Sequence, residues 1–451
     1  MGKTRWWAFR LGALGVGLSG LLLIEGIVRL TGSGQRDPLH DPFVGFSEIP
    51  DFFALNPLTN RFETAPGRLK FFIKDGFARK KSSHTFRIFC LGGSTVQGRP
   101  WSIETAFPTW LRLHLEAAFP ERRFEVVNVG GVSYASYRLV PILAECLNHE
   151  PDLILLCTGH NEFLEARSYP LVRQWPVPLR NALSRMTQLH SYRLVEQVAG
   201  RISSRKHSAP RERMGPEVDA LLDYRGGLQA YFRDDEWKRG VIQHFEANVS
   251  RMVELCSDQS TPVWLLSPPV NLKDSPPFKS ERGQGSADYW YRQGRKWLAR
   301  PDIGRAKAAF WRAVEEDLCP LRMLPVMREV MVTIANENGV PHLDLHPLVR
   351  AGAGELISGS ESLVDHIHPT IRGNDLIGLE LAKRLIGSDL LPAATANWEG
   401  GIEERYQKQI DDLGELYFAH GQQRLSNLRA WTQGRADGPP IRNRLMTGVK
   451  F

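Results

Sequence analysis

The chain has 451 residues, of which 42% are hydrophobic and 24% are charged, and both fractions are close to those of ordinary globular proteins. This composition excludes a wholly disordered chain and a polytopic membrane protein. The formal net charge is +7. Because acidic and basic residues are interspersed, we infer that this charge keeps the protein soluble and partly reflects a basic N-terminus. The alternative is that it serves binding to an anionic polysaccharide or a lipid surface. The sequence contains no motif of a nucleic-acid-binding module, so no nucleic-acid partner is predicted.

The N-terminal segment is typical of an export signal. Lys3, Arg5 and Arg10 precede an apolar run from Leu11 to Ile24, which is the order expected of such a segment. The run is on the short side of the ~20 residues that span a bilayer, and no clear cleavage site follows it. We therefore predict that residues 1–30 form a single membrane helix, with a cleaved signal segment as the alternative. The basic flank predicts that the rest of the chain is extracytoplasmic, either periplasmic or extracellular.

The rest of the chain alternates between two kinds of apolar pattern. Short apolar runs bounded by turn residues predict five strands, at Phe86–Leu91, Phe124–Asn128, Leu153–Cys157, Val263–Leu266 and Pro341–Leu345. Amphipathic stretches predict helices at Thr105–Ala118, Tyr134–His149, Trp237–Cys256, Leu321–Asn338 and Ile371–Ile386. Strands that alternate with helices predict an α/β fold with an open parallel sheet of about five strands, covered on both faces. Ligands of such sheets bind beyond the carboxyl ends of the strands.

The predicted organisation has four parts. Residues 1–30 are the anchor, 31–83 a tether, 84–391 the α/β domain, and 392–451 a C-terminal helix with a loose basic tail. Two insertions interrupt the α/β domain. The first, 165–235, is interpreted as a lid or a mobile excursion. The second is 270–320.

Residues 287–320, within the second insertion, resemble a single tetratricopeptide helix pair. The spacing of large, small and aromatic residues carries this resemblance, at Trp290, Gly294, Trp297, Ala306, Phe310 and Ala313. One repeat cannot bury its own apolar face, so the pair is expected to dock on the α/β domain or to contact a partner protein. An unrelated helical hairpin is the alternative.

The first predicted strand ends in the sequence Gly92-Gly93-Ser94-Thr95. Two glycines allow a sharp turn, so Ser94 is expected at the start of the next helix, exposed at the sheet's carboxyl edge. This is the position that a nucleophile needs. A plain loop or a phosphate-binding turn would have the same local sequence.

Two further segments supply the partners of such a nucleophile. Asn161 follows the third strand, and its side-chain amide is a candidate oxyanion donor, with a helix cap as the alternative. Asp365 and His368 precede the last helix and are three residues apart, so they share one face of a helical turn. A carboxylate there can fix the imidazole tautomer. A metal site of Asp365, His366 and His368, with His160 as a further ligand, is a competing hypothesis that no zinc motif supports.

The order of these segments resembles that of the SGNH (GDSL-type) hydrolases, over about Phe86–Ile386. The resemblance implies a three-layer α/β/α, flavodoxin-like fold, with Ser94 as nucleophile and Asp365 and His368 as its acid-base partners. It also implies an oxyanion hole formed by the Ser94 N–H, the Asn161 amide and an N–H of the second block. Two positions depart from the family pattern, because Gly93 replaces the usual Asp and Ser133 replaces the usual Gly of the second block. Gly131 is the alternative donor to Ser133 if the turn is shifted.

The resemblance implies a serine esterase that needs no cofactor and no metal. An exported enzyme of this type is expected to hydrolyse an O-acyl ester, O-acetyl esters included, of an envelope carbohydrate or a lipid. Two alternatives remain open. The first is an O-acyltransferase that uses the same triad to modify a glycan, and the second is a catalytically degenerate binding or scaffold protein.

Overall fold

The computed structural model describes residues 3–31, 41, 43–169, 189–191, 194–195, 213–224 and 226–434. The chain divides into two compact units, one of Met1–Ser47 with Arg167–Met214 and one of Glu48–Ala166 with Gly215–Phe451. In the first unit, a helix spans Lys3–Leu30, and the short strands Gly45–Phe46 and Arg213–Met214 pair in parallel. In the part of the chain that the structure describes, no helix is long and apolar enough to cross a membrane, and the predicted membrane helix has no support there.

A five-stranded parallel sheet forms the centre of the second unit. Its strands are β1 (Thr85–Gly92), β2 (Arg123–Gly130), β3 (Leu153–Cys157), β4 (Val263–Ser267) and β5 (His342–Asp344), in the order β5-β4-β3-β1-β2. The chain runs from β1 outward to β2 and then returns to the other side of β1 as β3. This reversal of strand order opens a crevice at the carboxyl ends of β1 and β3. The predicted α/β fold with five parallel strands is confirmed.

The second unit also contains helices. They are α1 (Ser94–Gln97), α2 (Phe107–Ala118), α3 (Ser136–Leu147), α4 (Asp235–Asp258), α5 (Ala287–Leu298), α6 (Ile303–Glu315), α7 (Pro325–Asn338), α8 (Leu345–Gly352), α9 (Ile371–Ile386), α10 (Ile402–Asp411) and α11 (Glu415–Thr432). Helix α2 packs on α9, and α4 packs on both α3 and α7. Every residue of β1 is buried, as expected of a strand that is covered on both faces, and the one charged side chain, Arg87, pairs with Glu125 of β2.

One core cluster joins β1 to the helices α2 and α9. Ile88 and Cys90 of β1 contact a layer that includes Leu111 of α2 and Leu381 of α9. Burial of an aliphatic side chain of this size stabilises a fold by roughly 1.5–3 kcal/mol. The strand that carries Ser94 at its end is therefore held rigidly, and Ser94 itself starts α1 directly behind it.

Residues 31–83, predicted as a tether, contain regular structure in the part of the segment that the structure describes. Strands at Phe53–Asn56, Arg61–Thr64 and Gly76–Ala78 form an antiparallel sheet. Buried Phe53 and Phe77 pack edge to face with each other and contact Phe89 of β1. Strands of three or four residues are too short to show an alternating pattern. Residues 32–40 and 42 of the predicted tether lie outside the described residues.

The inserted and C-terminal segments differ in part from their predictions. Helices α5 and α6 lie within 287–320 and pack on each other, and a Cβ at Gly294 would be 2.7 Å from the Phe310 ring. The predicted C-terminal helix is interrupted at Leu413, between α10 and α11. Most of the predicted lid lies outside the described residues, namely 170–188, 192–193, 196–212 and 225, as does the tail from 435.

Candidate active site

Ser94 lies at the crevice between β1 and β3. The strand β1 ends at Gly92, and Gly93 then adopts an extended conformation as the N-cap of α1. A Cβ at Gly92 would lie 2.0 Å from the carbonyl oxygen of Cys157 on β3, so only glycine permits this close approach of the two strands. The turn places Ser94 at the carboxyl edge of the sheet, as its sequence predicts, but the side chain is buried there and not exposed as expected.

Three side chains form a continuous chain of hydrogen bonds at this edge. The Oγ of Ser94 is 2.7 Å from Nε2 of His368, and Nδ1 of His368 is 2.6 Å from Oδ2 of Asp365. The other carboxylate oxygen, Oδ1, accepts the backbone N–H groups of Ile367 and His368, each at 2.8 Å. The carboxylate therefore fixes both the ring and the turn that carries it. The structure brings Ser94, Asp365 and His368 together in the arrangement of a serine nucleophile with its base and orienting acid.

The electrostatic surroundings keep Asp365 ionised. Burial alone would raise the pKa of its carboxyl, but the neighbouring His368 and His366 rings and the hydrogen bond from His368 hold this pKa well below its usual range. A carboxylate at Nδ1 stabilises the imidazolium that forms when His368 takes a proton. The charge needed for base catalysis is thus present beside the ring.

The competing metal hypothesis does not fit these contacts. Both oxygens of Asp365 are already hydrogen-bonded to the turn and to His368. His366 instead packs its ring edge to face with Phe278, at 5.0 Å between centroids. Among the described residues, the carboxylates that have metal-ligand spacing are Asp274, Glu355 and Glu361. The Lys273 ammonium lies 2.9 Å from an oxygen of Glu355 and 3.3 Å from one of Glu361 and so offsets part of their negative charge.

The backbone after β2 decides between the two predicted oxyanion donors. The N–H of Gly131 donates to the carbonyl of Gly92 at 3.0 Å, which removes Gly131 from the candidates. The N–H groups of Gly130, Val132 and Tyr134 are also used within the protein. Among the described residues, the Ser133 N–H has no acceptor, and Ser133 adopts a left-handed φ of 62°. This conformation favours glycine, because a side chain is strained in it.

Asn161 lies next to Ser94, on the loop after β3. Its Nδ2 donates one hydrogen bond to the carbonyl of Tyr134 at 2.9 Å, which leaves its second N–H for a ligand. The side chain acts as a donor here, contrary to the helix-cap alternative, in which its oxygen would accept a backbone N–H. The N–H of Ser94, the N–H of Ser133 and the amide of Asn161 are therefore the candidate oxyanion donors.

The departure at Gly93 has a structural reason. A Cβ at this position would lie 2.6 Å from Nδ2 of Asn161, which is closer than non-bonded atoms approach. The Asn161 amide thus occupies the space that a larger side chain at position 93 would need. In this chain, glycine at position 93 therefore leaves room for the Asn161 amide, the candidate oxyanion donor, to lie next to Ser94.

One residue at the site was not predicted from the sequence. Asn271, on the loop after β4, donates from Nδ2 to the carbonyl of Asp365 and from its backbone N–H to the carbonyl of His366, each at 2.9 Å. Its own carbonyl accepts from buried Arg322 at 3.0 Å. Asn271 therefore fixes the Asp365–His368 turn to the sheet. Nothing in the local sequence marks it, because the contact joins positions 94 residues apart.

Comparisons with known proteins give low similarity. No protein-family model and no curated protein matches the chain. Among solved structures, it is similar to LAE5, an α/β hydrolase from the metagenome of Lake Arreo, Spain, with 15% identity over 67% of this chain and 97% of that chain and a TM-score of 0.35. For the acetylxylan esterase Axe2 of Geobacillus stearothermophilus, the identity is 13% over 70% of this chain and 99% of that chain, and the TM-score is 0.34. For a lipase/acylhydrolase of Enterococcus faecalis, the identity is 13% over 67% of this chain and 96% of that chain, and the TM-score is 0.33.

With TM-scores of this size, these similarities carry no weight for the activity, and none of them supports the tetratricopeptide assignment of α5 and α6. The structure itself gives the relevant features. In its five-stranded parallel sheet and in the Ser94, Asn161, Asp365 and His368 side chains gathered at one edge, the chain has the arrangement that its resemblance to SGNH hydrolases implies.

Proposed function

We propose that the protein is a serine ester hydrolase with Ser94 as its nucleophile. The observation that carries this proposal is the continuous hydrogen-bond chain from Ser94 through His368 to Asp365. A serine hydroxyl is a weak nucleophile unless an adjacent base removes its proton. Here, the base is in contact with the hydroxyl, and a buried carboxylate orients the base.

The proposed reaction has two steps. First, Ser94 Oγ bonds to the ester carbonyl carbon while His368 Nε2 takes the hydroxyl proton, and the three candidate donors stabilise the oxyanion. The bond from that carbon to the alkoxy oxygen then breaks, and His368 gives its proton to the leaving alcohol. Second, water adds to the acyl-serine with His368 again as base, which releases the carboxylic acid and restores Ser94.

The physiological ester is also part of the proposal. An O-acyl group on an envelope carbohydrate or on a lipid fits an enzyme that carries an export-type N-terminus, and an extracytoplasmic location is proposed on the same segment, Lys3 to Ile24. N-terminal sequencing of the protein isolated from its native cells tests the segment. A start near residue 32 would show cleavage, whereas a start at Met1 or Gly2 in a membrane fraction would show an anchor.

The activity is tested with the purified full chain and p-nitrophenyl acetate. We expect hydrolysis by the wild type and a loss of at least about a thousandfold in Ser94→Ala, because the triad acts as a unit. Ser83→Ala is the matched control, since Ser83 is exposed and outside the site. Equal rates for wild type and Ser94→Ala would contradict the proposal. An added glycan that becomes acylated at the expense of hydrolysis would instead identify an acyltransferase.

A further inference from the structure

The turn after β2 carries the N–H of Ser133, one of the three candidate oxyanion donors. Ser133 adopts a left-handed φ of 62°, which costs free energy for a residue that has a side chain. Such a conformation persists only where the surrounding contacts hold it. The contacts on either side of Ser133 therefore determine whether its N–H stays at the site.

The first of these contacts is made by Val132, the residue directly before Ser133. Its N–H donates to the carbonyl oxygen of Phe71 at 2.8 Å. Phe71 lies in the connection between the short strands Arg61–Thr64 and Gly76–Ala78, outside the five-stranded parallel sheet. A segment that precedes β1 in the chain thus holds the backbone next to the candidate donor.

The same carbonyl accepts a second hydrogen bond, from the side chain of Gln97. The distance from Gln97 Nε2 to the Phe71 oxygen is 2.7 Å, and a carbonyl oxygen has two lone pairs, so it can accept both donors. Gln97 is the last residue of α1, the helix that begins with Ser94. One backbone oxygen therefore connects the helix of the nucleophile to the turn of the oxyanion donor.

The partners of the Gln97 amide allow it only one orientation. Its Oε1 accepts the Nε–H of Arg99 at 2.9 Å, and a guanidinium can only donate, whereas the carbonyl of Phe71 can only accept. The Nε2 of Gln97 must therefore face Phe71. The Gln97 side chain is 2% exposed, so the loss of its donor would leave a buried carbonyl one hydrogen bond short.

The ring of Phe72 supports the turn from the same segment. It packs edge to face on Tyr134, with 4.5 Å between the ring centroids, and a Cβ at Gly131 would lie 2.5 Å from it. The carbonyl of Tyr134 accepts the Asn161 amide at 2.9 Å. The segment before β1 therefore contacts the residues on both sides of Ser133, and through Tyr134 it also affects where the Asn161 donor lies.

A second side chain, Asn128 of β2, also connects α1 to the turn. Its Nδ2 donates to the carbonyl of Val96 at 2.9 Å, and its Oδ1 accepts the N–H of Gly130 at 3.0 Å. This pair of bonds holds the start of the turn, before Ser133 is reached. The carbonyl that Gln97 binds holds the residue directly before Ser133, and it is therefore the contact expected to control the Ser133 N–H.

We propose that Gln97 is a positioning residue of the oxyanion hole, which holds the turn that presents the Ser133 N–H through the carbonyl of Phe71. Gln97 acts on the reaction through this turn and not on the substrate. The proposal rests on the proposed function, since it concerns the oxyanion that forms when Ser94 attacks an ester. The segment before β1 then contributes to catalysis, because it supplies the carbonyl that both donors share.

The test compares wild type with two variants of Gln97 and a control. Gln97→Glu keeps the shape of the side chain and the acceptor for Arg99, but an ionised carboxylate cannot donate to the carbonyl of Phe71. Gln97→Met keeps the length of the side chain and has neither polar group. Gln423→Met is the matched control, since Gln423 is exposed on α11.

Two measurements are made on each protein. Steady-state hydrolysis of p-nitrophenyl acetate gives kcat and KM. The inhibition constant of 1,1,1-trifluoroacetone reports on the oxyanion hole, because Ser94 Oγ bonds to the ketone carbon, His368 takes the hydroxyl proton, and the ketone oxygen becomes an oxyanion. A variant that merely folds less completely lowers the apparent kcat and leaves this inhibition constant unchanged.

We expect both variants to lower kcat about tenfold or more with little change in KM, and to raise the inhibition constant by about the same factor. In Gln97→Met, the pH at which kcat/KM is half-maximal is expected to match wild type, because His368 and Asp365 are untouched. The control is expected to match wild type in every measurement.

Thermal unfolding shows which of the two variants folds, and either one decides the question. In a folded variant, an unchanged kcat, or a lower kcat with an unchanged inhibition constant, would overturn the proposal. A shifted pH profile in Gln97→Met would also overturn it, since Gln97 would then act on the base.

Ser94→Ala separates this proposal from the proposed function. If wild type hydrolyses the ester, Ser94→Ala does not, and the Gln97 variants behave like wild type, only the positioning proposal fails. If wild type is no more active than Ser94→Ala, the proposed function itself fails, and the positioning proposal fails with it.

Discussion

The side-chain amide of Asn271 donates a hydrogen bond to the main-chain carbonyl of Asp365, at 2.9 Å. This contact connects the loop after β4 to the turn that carries the acid and the base of the site. The backbone N–H of Asn271 holds the next residue, His366, in the same way. Asn271 thus acts through Asp365 and His368 and is a positioning residue.

Replacement of Asn271 is expected to lower kcat without a matching change in KM. Asn271→Asp keeps the size of the side chain and the oxygen that accepts the N–H of Asp274, but it loses the donor to Asp365. A displacement of the base by a fraction of an ångström costs about tenfold to a hundredfold in rate. Steady-state kinetics with p-nitrophenyl acetate measure both parameters. A rise in KM with kcat unchanged would show that Asn271 binds substrate instead.

Gly93→Ala tests the placement of the candidate oxyanion donor. The added Cβ would lie 2.6 Å from Nδ2 of Asn161, so the amide must move away from the carbonyl oxygen it is proposed to hold. Removal of one oxyanion donor costs roughly a hundredfold to a thousandfold in kcat, and we expect a loss of about tenfold or more. Asn161→Ala is the matched variant. If Gly93→Ala has full activity while Asn161→Ala is impaired, the amide tolerates the displacement and the steric explanation is wrong.

How much of this site could be predicted from the sequence depends on the range of the interactions. Ser94 directly follows a strongly apolar strand, and the Asp365 to His368 spacing directly precedes an amphipathic helix, so both are local patterns, and the structure brings them together. The helix Ile371–Ile386 has its predicted bounds, because Thr370 caps it with a hydrogen bond to the N–H of Gly373. The choice of Ser133 over Gly131 depends on one backbone hydrogen bond and one φ angle, and neither is visible in residue types.

Contacts between loops that are distant in the chain cannot be predicted from the sequence either, because no local pattern marks them. The bond from Met323 to His160 joins positions 163 residues apart, and only the folded sheet brings these loops together. The short antiparallel sheet before β1 was missed because its strands have too few residues to show alternation. Its burial under Phe89 makes residues 53–78 part of the compact unit.

Ser133→Gly is expected to stabilise the protein and to leave its activity intact. Ser133 has a φ of 62°, and a left-handed conformation costs an L-residue roughly 1–2 kcal/mol. Glycine avoids this strain but loses more conformational entropy on folding, about 0.5–1 kcal/mol, so the net gain is about 0.5–1 kcal/mol. The backbone N–H proposed for the oxyanion hole is retained. Urea unfolding and p-nitrophenyl acetate hydrolysis measure the two effects. A lower stability in Ser133→Gly would show that the serine side chain contributes more than its backbone strain costs.

Acid is expected to destabilise the fold through buried histidine. Burial lowers the pKa of His366 from the ordinary 6.5 to about 4, although the Asp365 carboxylate opposes this shift. Between these two pH values, the unfolded chain binds a proton that the folded chain does not, so the free energy of unfolding falls as the pH falls. Asp365 acts in the same direction at lower pH. Its pKa in the folded protein is depressed, so its contribution to the free energy of unfolding is lost as the pH falls below the ordinary pKa of 3.8.

A substitution of His366 measures how much of the acid-induced loss of stability is due to this residue. Between pH 7 and pH 5, a buried histidine with this pKa accounts for about 2 kcal/mol of lost stability. We expect the free energy of unfolding of His366→Gln to decline by about 2 kcal/mol less than that of wild type over this interval, and exposed His420→Gln to decline like wild type. Urea unfolding at the two pH values gives both differences. Parallel declines in wild type and His366→Gln would show that His366 is not the residue responsible. The next residues to replace would then be the other buried rings with lowered pKa values, His160 and His346.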